Sequence, residues 1–243
     1  MMKSSNPALT VDVFRNAMAD STGETMTIQG TVNKTGLLLL CVVGAASWTW
    51  GVGPSAMMPL ALIGGIGGFI VALITVFKKH LAGITAPIYA ILQGLFLGGI
   101  SSVFEMQYPG VVIQAVGLTF GTLFALLGAY KSGLIKVTEN FKLGVAAATG
   151  GIMVFYLISF VLSLFGFQLN AVYGNGLFGI GFSFIVVVIA ALNLVMDFDF
   201  IEQGAQEGAP KYMEWFGAFG LMVTLIWLYI EILRLLAKLR SRD

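Results

Sequence analysis

Three carboxylates stand in or beside long apolar runs: Asp197 and Asp199 close one segment, and Glu231 lies inside the next. An ionisable group at membrane depth costs roughly 2.5–3.5 kcal/mol on insertion scales and normally faces a bundle interior or a wet cavity. That makes Asp197, Asp199 and Glu231 the candidate functional site, with proton sensing and gating as the chemistry. Two carboxylates brought close cannot easily both ionise, so they share a proton and titrate as a unit. Such a pair is a latch, closed while the proton is shared and loosened when the charges repel. Carboxylate oxygens are also the hard ligands that calcium prefers, so Asp197 and Glu231 are candidate transient calcium ligands.

Spacing refines the roles. In a continuous helix Asn193 and Asp197, four residues apart, share a face, and Asn193 can support the acid. Asp199 then points about 200° away from Asp197. The simpler alternative is that both aspartates mark the aqueous end of their span. Glu231 is flanked by Trp227-Leu228-Tyr229-Ile230 and Ile232-Leu233, with Arg234 three residues on. A local Glu231–Arg234 pair with a purely structural role is the alternative to a shared acidic cavity. Gln93 sits mid-span, so it needs a partner across a helix interface or faces a cavity. His80, the only histidine, follows Lys78-Lys79 at a span end and reads as interfacial. One histidine and one cysteine, Cys41, do not make a zinc site. No nucleophile elbow, metalloprotease motif or phosphate-binding loop occurs, and no cofactor is expected.

The elements that must position these residues are membrane helices. With 58% hydrophobic and 10% charged residues the chain cannot cover a water-facing surface, for which about 25% charged is usual. No basic run resembles a nucleic-acid patch. A span needs about 20 apolar residues, and seven segments qualify: Thr35–Val52, Met57–Phe77, Ile84–Phe104, Val111–Tyr130, Leu143–Phe165, Gly176–Met196 and Trp215–Ala237. Hydrocarbon offers no water to unpaired backbone groups, so all seven are expected to be helices, in an all-α polytopic membrane protein. Residues 1–34 read as a polar cytoplasmic tail with a short amphipathic helix around Ala8–Ala19, and residues 35–243 as one membrane domain. No secretory signal peptide is evident. Glycine, 31 of 243 residues, exceeds the usual 7% or so and suits close helix packing, with hinges as the alternative.

Lysines set the orientation. With the N-terminus inside, the inner regions hold Lys3, Arg15 and Lys34, then Lys78 and Lys79, then Lys131, Lys136 and Lys142, then Lys211, while the first three outer loops hold none. Seven crossings would place Arg234, Lys238, Arg240 and Arg242 at the outer end, against that rule, unless the last segment is re-entrant.

Three stretches resemble the Bax inhibitor-1 (transmembrane Bax inhibitor motif) family, in a bacterial branch: the run from Pro87 to Ser101, Asp197-Phe198-Asp199-Phe200-Ile201-Glu202, and Trp227 to Leu233. The resemblance covers the chain from about residue 35 onward. It implies a seven-helix bundle with the last helix central, and a pH-sensitive calcium leak channel gated by acids on the sixth and seventh helices. Asp197 matches the sixth-helix acid and Glu231 the seventh-helix acid; Asp199 is an additional acid. The chain departs from the family pattern in carrying glutamate for the usual aspartate at Glu231, and Gln93 for a usual glutamate. The Glu202–Glu214 connection is also longer than in eukaryotic members.

The reading that follows is a calcium leak of a bacterial inner membrane, with the lipid bilayer, calcium and protons as its partners. The alternative is a regulatory membrane protein that binds and restrains a membrane protease or stress-response partner without conducting ions. An intramembrane aspartyl protease is set aside, because Glu231 stands where a second catalytic aspartate would be needed.

Overall fold

The computed structural model describes residues 23–241 apart from 168–171 and 173, and leaves out the side chains of 54 and 55. Seven long helices occur among the described residues: α1 Ile28–Gly51, α2 Pro54–Phe77, α3 Ala82–Gln107, α4 Val111–Lys131, α5 Glu139–Leu164, α6 Leu177–Gln206 and α7 Met213–Arg240. Each is long and apolar enough to cross a membrane. The all-helical, seven-span architecture expected from the sequence is present.

Helix ends differ from the hydropathy boundaries for local reasons. The α1 helix starts at Ile28 rather than Thr35, because the Thr27 hydroxyl accepts from the Gly30 amide at 2.9 Å and caps it. Residues expected in the polar tail therefore belong to a helix; the expected Ala8–Ala19 helix lies outside the described residues. At the other end of the chain α6 continues past Met196 to Gln206. Its stop is Gly208 at φ 70, with the Ala209 amide reaching back to the Gly204 carbonyl at 3.0 Å. This is a left-handed glycine terminus that closes the last carbonyls. Asp197 and Asp199 thus lie within a helix rather than at its end.

The chain divides into two compact units, and α6 and α7 contribute to both. One contains α1, α2 and α3 with Asp197–Val223. Here small residues set the packing: a Cβ on Gly94 would fall 2.5 Å from the Val42 carbonyl, and one on Gly98 2.5 Å from the Ala46 carbonyl. Gly99 does the same against Ala61 of α2, at 2.6 Å. Lipid tails are as apolar as leucine, so contact of backbones, not escape from solvent, holds such helices together. Phe219 adds an edge-on contact with Tyr89, ring centres 4.9 Å apart.

The entry to α1 in this unit is clasped to the α6–α7 turn. The Met26 amide donates to the Ala209 carbonyl at 2.6 Å and the Lys211 amide to the Glu24 carbonyl at 3.1 Å, with Thr25 and Pro210 forming an antiparallel bridge. The clasp satisfies backbone groups that neither helix can pair.

The second unit contains α4, α5, α6 up to Met196, and α7 from Thr224. Its α5 helix presents Met153, Leu157 and Phe160 as exposed apolar side chains, which suits a hydrocarbon solvent. Across its length α7 is the most enclosed helix, with 78% of its apolar window buried against 50% or less in the other six.

Candidate functional site

In the unit that holds α1–α3, Asp197 is 3% exposed while Asp199 is partly exposed. Asp199 accepts from the Gln203 amide one turn on, at 2.6 Å. Two positions apart on one helix send their side chains to nearly opposite sides, and here one side is enclosed and the other is not. Of the two aspartates, Asp197 is the buried one. Gln93 lies at the α2–α3 interface, its amide nitrogen 2.6 Å from where a Cβ on Gly68 would be. Glycine at 68 makes the room for that amide.

The same unit buries an acid that sequence reasoning placed at the edge of a loop. Glu214, in the first turn of α7, has no exposure. Its Oε1 accepts from the Thr27 amide at 2.9 Å and the Thr27 hydroxyl at 2.8 Å, Lys211 stands 3.1 Å away, and Lys34 pairs with Oε2. A Cβ on Gly30 would collide with this carboxylate. One side chain therefore serves the open N-terminus of α1 and pairs with two lysines, in the place where the α7 N-terminus favours an anion. Acids in a first helical turn are common, so neither Lys211 nor Gly30 singles Glu214 out in the sequence.

In the second unit Glu231 is 2% exposed. Arg234 Nη1 donates to its two oxygens at 3.0 and 3.1 Å, and the Tyr156 hydroxyl donates to Oε1 at 3.1 Å. Arg234 also donates to the Tyr156 hydroxyl at 3.1 Å and lies 5.8 Å from the ring centre. The Tyr156 ring is held against Phe155 and Phe182. The local ion pair weighed from the sequence is formed, and α5 supplies a third member that the sequence did not reveal. The Arg234 side chain is 36% exposed, so the cation over Glu231 keeps a route outward. Asn193 is buried and ties α6 to α5: its amide donates to the Thr149 hydroxyl and to the Ile189 carbonyl, both at 2.8 Å.

No group of three or more His, Cys, Asp and Glu able to hold a metal ion occurs among the described residues. Calcium in a resident protein site takes six to eight oxygens. His80 is exposed at the α2–α3 turn, as its position beside two lysines predicts.

A family model described as Bax inhibitor 1 like matches residues 6–241, nearly the whole chain. No curated protein matches it.

Proposed function

The chain belongs to the Bax inhibitor 1 like family, and from that membership we propose that it is a pH-sensitive calcium leak, gated by carboxylates on α6 and α7. The observation that carries the reading is the burial of Asp197 and Glu231, 3% and 2% exposed, inside helices long enough to span a membrane. Charges at such depth are costly and usually mark ion or proton routes. A carboxylate that gains a proton loses its hold on a cation and its need for water. Protonation of Glu231 weakens its grip on Arg234, and protonation of Asp197 removes a charge from the interior of α6. Each event changes how the helix that carries it packs, and the ionised forms offer oxygens to a passing calcium ion.

The proposed setting is a bacterial inner membrane with the N-terminus in the cytoplasm, which the alternation of lysines along the chain supports. Calcium entry into proteoliposomes, scanned across pH, tests the mechanism. Asp197→Asn and Glu231→Gln are each expected to flatten the pH response. An unaltered response in both variants removes the gating.

One observation favours a second reading. Both oxygens of Glu231 already face Arg234, as a structural ion pair would have it. The protein would then act by binding, restraining a membrane protease or stress-response partner. Purified protein that moves no calcium at any pH selects that reading.

A further inference from the structure

Lys238 follows Arg234 by one turn on α7 and shares its face. A lysine near the end of a membrane helix ordinarily stretches its stem to place the ammonium in interfacial water. Lys238 turns inward. The residue is 6% exposed, and its Nζ donates to the Val172 carbonyl at 2.8 Å, the Gly179 carbonyl at 3.1 Å and the Ser183 hydroxyl at 2.9 Å. An ammonium has three N–H donors and no acceptor, so this set matches it donor for donor. All three oxygens are neutral. Replacing a cation's hydration with carbonyl and hydroxyl oxygens is how ion filters hold their ions.

The cradle depends on the absence of a side chain. A Cβ on Gly179 would collide with the Gly174 carbonyl and come within 2.9 Å of the Val172 carbonyl. Glycine at 179 lets these carbonyls close in, and Ser183, one turn along α6 and buried, completes the oxygens.

We infer that the Val172 and Gly179 carbonyls and the Ser183 hydroxyl form a seat for a primary ammonium ion, and that Lys238 is its tethered occupant, a plug that keeps free cations out. The plug rests on the calcium-leak reading; the seat does not. With Arg234 on Glu231 and Lys238 in the seat, two cations of α7 occupy acceptors that a permeant cation would otherwise use.

The seat is tested by melting purified Lys238→Ala in detergent with n-propylammonium chloride or tetramethylammonium chloride at equal ionic strength. The first restores the missing stem and three donors; the second has the same charge and no donor. The substitution is expected to lower the unfolding midpoint by roughly 5 °C or more. Propylammonium should recover most of that loss, tetramethylammonium none, and the wild type should respond to neither. Equal responses to both salts, or none to either, overturn the seat. A variant that folds only with propylammonium present supports it, and one that does not fold even then overturns it. For the plug, Lys238→Met in proteoliposomes should raise calcium entry severalfold while Lys238→Arg leaves it at the wild-type level. Unchanged entry in Lys238→Met beside a working wild-type leak overturns the plug and spares the leak. A wild type that moves no calcium ends both the leak and the plug, and the melting experiment still decides the seat.

Discussion

Two glutamates on one helix are almost equally buried and differently held. Glu214, with no exposure, is gripped by donors from before α1, from within α1 and from the turn ahead of α7. Glu231, 2% exposed, has one cation from its own helix and one hydroxyl from α5. Burial alone therefore does not separate a fastening from the switch proposed for Glu231. The separation comes from where the partners originate and whether they can leave. Glu214 joins segments far apart in the chain, and releasing it would undo three of them. The cation on Glu231 is part-exposed, and releasing it disturbs only Glu231 and Tyr156.

Three substitutions press on this contrast. The largest effect is expected from Glu214→Gln, which leaves Lys34 and the Thr27 cap without a charge to meet. Removing one member of a buried ion pair costs about 3–5 kcal/mol, read here as a lower midpoint in thermal unfolding. The pH profile of calcium entry in the protein that still folds should keep its shape. A shifted profile with unchanged stability would reverse the roles of the two glutamates. Next in size is Arg234→Ala, which strands Glu231 with the Tyr156 hydroxyl alone. Because the guanidinium is part-exposed, the expected loss is about 1–2 kcal/mol, accompanied by a displaced pH profile. A profile that stays in place would make the Glu231 pair as structural as that of Glu214. The smallest effect belongs to Lys211→Ala. Its side chain is 46% exposed, and such pairs contribute about 0–1 kcal/mol, so the melting midpoint should hardly move. A large drop would mean that the Glu214 cluster has no redundancy.

The seven spans were legible because apolar runs of membrane length have few alternative readings in a chain with so few charges. Asp197 and Glu231 were legible for the same reason, since an acid is conspicuous where its neighbours are leucine, isoleucine and valine. Glu214 was hidden by context. An acid beside a polar connection looks ordinary, and its partners Thr27 and Lys34 lie 187 and 180 residues away. Helix boundaries were missed where hydropathy falls before helix-forming capacity does. Asp199, Glu202 and Gln203 end an apolar run without breaking a helix, and the true stop waits for Gly208. Lys238 read as a tail charge because sequence position carries no information about a cradle built from other residues' carbonyls. That misplacement bears on orientation too. Positive-inside counting concerns charges in loops and near span ends, and Arg234 and Lys238 are instead engaged within the protein. Arg242 lies outside the described residues.

The clasp between Glu24–Met26 and Ala209–Lys211 has a bearing on biogenesis. A ribosome delivers the first helix to the membrane long before it makes the turn that completes that helix's entry, and domains generally fold as units during synthesis. Until Ala209 and Glu214 arrive, the Met26 and Thr27 amides have no protein acceptor there and must be served by interfacial water. The earliest inserted segment is thus completed only after six helices have been made, and a nascent chain halted before the α6–α7 turn should leave the Glu24–Thr27 segment open to protease while α7 is still unmade.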